Sequence, residues 1–272
     1  MRRIHPGLAL VSLVAVAGMA AGCTRSATSP GASAAPSSAP ASSAQAALGA
    51  KARLLAGVTA LTRTTSAFTV TLSGPALATA GGTTTMTGGL DPVGKAAAVD
   101  TKITAAGSTL QLSYILRSDA MYLKLVGVPG LTNKWMKIDP AKLPATQRAM
   151  FSAGADPTGV ASTVQGVVDA TETTPGTITG TIDLSKAAGS LAFSRDRIAE
   201  LAPADRVVPY TATLDGQGRL TDLTLTMKVS GQDLKSETVY HDFGAPVAAD
   251  APPAADVTEA SDLIYQILGS MN

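Results

Sequence analysis

Through residues 66–243 apolar and polar side chains alternate with a period of two, in runs broken by Gly, Pro and Asp. Successive strand residues point to opposite faces, so such runs read as strands with one buried face. Phe68, Val70 and Leu72 alternate with Thr69 and Thr71 until Gly74-Pro75. Leu110, Leu112, Tyr114 and Leu116 alternate with Gln111, Ser113 and Arg117, and Ser118-Asp119 then turns into Met121, Leu123 and Leu125. Residues 83–90, 96–106, 135–138, 177–184, 207–214, 220–229 and 236–243 read the same way. Most spacers are a few residues long, which joins neighbours as antiparallel hairpins. About ten strands follow from this reading, and an antiparallel sheet of that size is expected to twist and curl.

Helical spacing interrupts the alternation in blocks. Leu54, Leu55, Val58 and Leu61 share one face of a helix predicted over 48–64. Asp156-Pro157 supplies an N-cap and a first-turn proline for a helix carrying Val160, Val164, Val167 and Val168. A short helix is predicted over 194–201. Asp256-Val257-Thr258-Glu259 resembles a capping box and opens a C-terminal helix with Leu263, Ile264, Ile267 and Leu268 on one face. Helices in blocks beside many hairpins imply an α+β fold: a single curved antiparallel sheet with helices over its concave face.

The residue inventory excludes several chemistries. One Cys and two His leave no disulfide framework, no four-Cys zinc site and no thiol pair. A net charge of +1 without a basic stretch argues against nucleic acid as a partner. No G-x-S-x-G elbow occurs. His241 and Asp242 are adjacent in a strand, so their side chains are expected on opposite faces and His241 is read as solvent-facing. Asp215-Gly216-Gln217-Gly218 reads as a turn, not a calcium loop. No catalytic residue, metal site or cofactor is therefore expected, and the chain is not expected to be an enzyme.

The N-terminus reads as a targeting segment. Arg2 and Arg3 precede an apolar run over 8–21, and Ala20-Ala21-Gly22 leads into Cys23, the only cysteine. Residues 1–22 are expected to be a signal peptide. Cys23 after small residues resembles the bacterial lipobox, whose cysteine is lipidated and becomes the first residue. Leucine is more usual where Ala20 stands. Residues 23–47 are the lipidated Cys and a Ser/Ala/Pro-rich tether with the single charge Arg25, too poor in apolar surface to fold. Its chain statistics set the following domain, 48–272, roughly 25–30 Å from the anchor. The expected location is the extracytoplasmic face of the cell membrane.

A curved sheet lined by aliphatic side chains suits acyl chains, which need dispersion contacts and exclusion of water. The candidate lining is Phe68, Val70, Leu72, Leu112, Tyr114, Leu116, Leu123 and Leu125. For any one strand, the plainer reading of such a face is a packed core. Trp135 is weighed in the same way, as an entrance residue against a core residue.

Several stretches resemble the mycobacterial LppX/LprG-type (LppX/LprAFG) lipoprotein family. They are DAMYLKLVGVPGLTNKWMKID at 119–139, ADPTGVASTVQGVVDA at 155–170, GTITGTIDLS at 176–185, VVPYTATLDGQGRLTDLTLTM at 207–227 and TVYHDFGAPVAADAPP at 238–253. The resemblance covers roughly 48–253; residues 256–272 lie beyond it. It implies a LolA-like half-barrel and an envelope lipoprotein that holds the acyl chains of lipids or lipoglycans. Such a protein carries them between membrane and acceptors, with a membrane exporter as a possible partner. The alternative is an envelope interaction or sensor module that uses the same fold and binds no lipid.

Overall fold

The computed structural model describes residues 49–78, 82–105, 107–131, 133–145, 148, 156–187, 195–229 and 231–270. The expected signal peptide, Cys23 and tether lie outside these residues, as does Ser194, the first residue of one predicted helix.

Twelve strands form one unclosed sheet. They are β1 (Ser66–Ser73), β2 (Thr83–Asp91), β3 (Ala96–Ala105), β4 (Ser108–Leu116), β5 (Met121–Val126) and β6 (Trp135–Ile138), then β7 (Val167–Thr174), β8 (Thr177–Asp183), β9 (Val207–Leu214), β10 (Leu220–Val229), β11 (Gln232–His241) and β12 (Val257–Glu259). The spatial order is β12-β6-β5-β4-β3-β2-β1-β11-β10-β9-β8-β7. Strand β1 is central: β2 to β6 run outward on one side as successive hairpins, and β11 back to β7 run outward on the other. Every pairing is antiparallel except β12 with β6.

The α-helices are α1 (Ala50–Leu61), α2 (Pro75–Ala78), α3 (Val160–Thr163), α4 (Arg195–Glu200) and α5 (Asp262–Ser270). None of them is long and apolar enough to cross a membrane. Helix α1, about 18 Å long, packs on β7, β9 and β10. Its Val58 and Leu61 also share a cleft with Leu90 of β2 and Ala96 and Ala97 of β3. Strands β7 to β3 span seven gaps in the sheet order, about 34 Å if flat at ~4.8 Å per gap. One short helix reaches both ends of that span only because the sheet curls around it. The fold is the expected α+β half-barrel with helices on the concave side.

Several elements differ from the reading of the sequence. Helix α2 occupies Pro75–Ala78, where only a strand break was read, and the N-cap of α3 is Gly159, so Asp156 and Pro157 precede the helix. Val167 and Val168 begin β7, not the tail of a helix; α3 stops at Thr163 and a 3-10 turn over Val164–Gly166 leads into the strand. The valines recur at helical spacing, but β-branched residues also suit a strand, and pairing with β8 decides. Val257–Glu259 is a strand on the edge of β6, so the capping box does not open the last helix; α5 begins at Asp262. Ile264 and Leu268 of α5 are buried, Leu263 is exposed, and the side chain of Ile267 lies outside the described set.

Candidate functional site

The concave face is built in rows of cross-strand neighbours. Tyr240, Phe68, Gly88, Val99, Tyr114 and Leu123 pair successively across β11, β1, β2, β3, β4 and β5. A second row runs Leu90, Ala97, Leu116 and Met121. The ring of Phe68 lies across Gly88, where a Cβ would come within 2.8 Å of its Cζ; glycine leaves that ring its place.

All eight sequence-predicted lining residues face this side. Phe68, Val70, Tyr114, Leu116, Leu123 and Leu125 are buried in one continuous core, and Leu72 and Leu112 are half-buried against it. None of the eight lines either of the two clefts beside α1. Two of them adjoin one: Phe68 is paired with Tyr240 and Leu116 with Ala97, and both partners line a cleft.

That cleft encloses about 520 Å³, part of it open to solvent. It lies between the C-terminal half of α1 (Val58, Leu61, Thr62), the β2–β3 turn (Leu90, Asp91, Pro92, Ala96, Ala97), Asp156, Ala161 and Tyr240. A second cleft of about 480 Å³ adjoins it, lined by Leu55, Val58, Thr59, Thr62, Ala161, Val164 and Gln165. The two share Val58, Thr62 and Ala161.

Helix α1 is set close to the sheet by Gly57, where a Cβ would lie 2.9 Å from the carbonyl oxygen of Gly218. Its polar side reaches β7 through Arg53, which pairs with Glu172, and through Lys51, which donates to the Val167 carbonyl. The backbone N–H of Gly176 and then the Arg53 guanidinium hold the Glu172 carboxyl below the usual carboxylate range.

Asp156 organises the floor. It accepts hydrogen bonds from the backbone N–H of Thr158 (2.9 Å), the Thr158 hydroxyl and the N–H of Ala161 (2.9 Å). Thr158 has one hydroxyl proton and gives it to Asp156, so the Tyr240 phenol, 2.6 Å from Thr158 Oγ1, is a donor. Burial and then the Asp156 charge push the Tyr114 and Tyr240 phenols well above the ordinary range.

His241 and Asp242 do not diverge as expected. Asp242 lies past the end of β11 with φ 51°, and its carboxylate meets His241 Nδ1 at 2.8 Å. Leaving the strand removes the alternation that would have separated the two. Both are exposed. Trp135 sits on β6 with the Lys124 ammonium 5.9 Å from its ring centre, away from the cleft. Asp215 accepts from the N–H groups of Gln217 and Arg219, closing a turn. Among the described residues no three His, Cys, Asp or Glu side chains gather as metal ligands.

Sequence reasoning missed the cleft residues because they come from four separate segments. The one local signal was Asp156-Pro157, read as an N-cap and first-turn proline; the N-cap is Gly159 instead, and Asp156 stands before the helix and accepts from the Ala161 N–H.

No family model matches the chain, and no curated protein matches it by sequence. Among solved structures it is similar to a LolA superfamily protein from Nitrosomonas europaea, with 12% identity, 76% of this chain and 96% of that one covered, and a TM-score of 0.27. It is also similar to a fusion DH domain, with 14% identity, 66% and 71% covered, and a TM-score of 0.19. With superpositions this loose, the fold rests on the sheet topology.

Proposed function

We propose that this chain is a non-enzymatic envelope lipoprotein that shelters acyl chains and moves them between the membrane and envelope acceptors. The observation that carries the reading is the pair of adjoining, mainly apolar clefts between α1 and the concave face. Each buried methylene adds about 0.8 kcal/mol, so affinity would grow with chain length. The resemblance to LppX/LprG-type lipoproteins supports the same reading, as does the order of signal peptide, Cys23 and tether. Lipidation of Cys23 would hold the domain at the extracytoplasmic face while the tether lets it swing. A membrane exporter is a fitting partner for such a cycle.

A second reading, a protein-binding envelope module, draws on the packing: six of the eight inward residues are buried in the core and Leu72 and Leu112 pack against it. Native mass spectrometry with organic extraction separates the two. The sample is the full chain carrying Cys23→Ala, which removes the thiol an anchor lipid needs, purified from its host's envelope. A stoichiometric lipid supports the carrier. A bare protein mass that takes up no added lipid supports the protein-binding module.

A further inference from the structure

The polar groups around the cleft that Tyr240 lines are unequal in kind. Among the described residues its ionisable carboxyls are Asp91 and Asp156, and no Lys or Arg lines it. The nearest cations along the chain, Arg63 and Lys95, are exposed beside it and take no part in its wall. The hydroxyl donors are already committed: Thr62 donates to the Thr59 carbonyl at 2.8 Å, and Tyr240 donates to Thr158. The carboxylates still have acceptor capacity. Asp91 takes one hydrogen bond, from the N–H of Gly94 at 2.7 Å, and Asp156 takes three, whereas a carboxylate offers about four lone-pair sites. Among the described residues no ionisable group lines the adjoining cleft.

An apolar cleft with spare acceptors and no free donor is mismatched to a carboxylate or phosphate. Those groups bring more acceptors and a like charge, and nothing in the wall neutralises them. A hydroxylated headgroup supplies the missing donors. We propose that the cleft selects amphiphiles whose polar end is uncharged and rich in hydroxyl groups, and that Asp91 and Asp156 set this preference. The inference rests on the carrier reading and names its cargo class. The raised Tyr240 and Tyr114 phenols agree with it: burial first, and then the Asp156 charge, disfavours a second anion nearby.

The test compares two probes with the same acyl chain, monopalmitoylglycerol and palmitate, binding to the full chain at neutral pH below their aggregation thresholds. Even in water, an anion ~4 Å from one carboxylate is disfavoured about fivefold; with two carboxylates the neutral probe is expected to bind at least tenfold more tightly. Asp91→Asn keeps an oxygen for the Gly94 N–H, and Asp156→Asn keeps one for the Ala161 N–H. Each exchange is expected to narrow the ratio, and Asp91, in an external turn, tests the idea even if the Asp156 variant fails to fold. Equal or tighter binding of palmitate overturns the inference and leaves the carrier reading standing. A ratio that Asp91→Asn leaves unchanged overturns the role given to that residue. Binding of neither probe overturns the carrier reading and this inference with it.

Discussion

Gly57→Ala and Gly269→Ala make the same chemical change in two helices and are expected to act with opposite sign. In an exposed helix interior, Ala is better than Gly by about 1 kcal/mol. At Gly269 in α5, the new Cβ meets only Pro144, at 3.9 Å, an ordinary contact. That exchange should therefore stabilise by about 0.5–1 kcal/mol. At Gly57 the Cβ would sit 2.7 Å from Leu214 Cδ2 and 2.9 Å from the Gly218 carbonyl oxygen. The leucine methyl can rotate away; the carbonyl belongs to backbone and cannot. Helix α1 must lift, and overpacking of this kind costs about 1–3 kcal/mol. Subtracting the helix gain leaves a net loss of about 1 kcal/mol. In a domain of this size a kilocalorie moves Tm by about 2–4 °C. Thermal unfolding followed by circular dichroism should show Tm falling by about that much for Gly57→Ala and rising slightly for Gly269→Ala. A rise for Gly57→Ala like that for Gly269→Ala would refute the close seating of α1, and with it the shape of the cleft that α1 walls.

Other outcomes follow from the same geometry. Ala161 is shared by both clefts, so Ala161→Phe should fill them, weakening uptake of an acyl probe at least tenfold with no fall in Tm; undiminished uptake would move the site elsewhere. Leu123 is fully buried, and Leu123→Ala should cost about 2–5 kcal/mol in denaturant unfolding, whereas a loss below 1 kcal/mol would contradict its place in the core. Burial and then the Asp169 charge push the Tyr210 phenol up to about 12, and Tyr114 and Tyr240 are raised as well. A raised folded pKa contributes stability that is intact below the unfolded phenol value near 10 and is lost as pH climbs through the folded one. Ultraviolet titration should therefore show these three ionising only as the fold opens in alkali; full ionisation near pH 10 in a still-folded protein would refute it.

Most of the sheet was legible because its strands carry one aliphatic face each. Phe68, Val70 and Leu72 announce β1, and Met121, Leu123 and Leu125 announce β5, through period alone. Strand β7 was hidden because Val160, Val164, Val167 and Val168 satisfy a helical spacing by coincidence of one valine-rich stretch. Strand β12 is three residues long and exists only because the β6 edge receives it, a partner more than a hundred residues away. The candidate site was legible in part. The period told which residues face inward, but not which of them are covered by others. Phe68 and Leu116 are buried beside the cleft, while Tyr240, Ala97, Asp91 and Ala161 line it, and only the curl of the sheet around α1 brings those four together.

The central claim is that the clefts hold a lipid. Native mass spectrometry of the Cys23→Ala chain from its host's envelope, followed by organic extraction, tests it most directly. The account predicts one stoichiometric lipid with an uncharged, hydroxylated polar end, released on extraction and reduced in the Ala161→Phe protein. A bare protein mass that remains bare after incubation with monopalmitoylglycerol would contradict it.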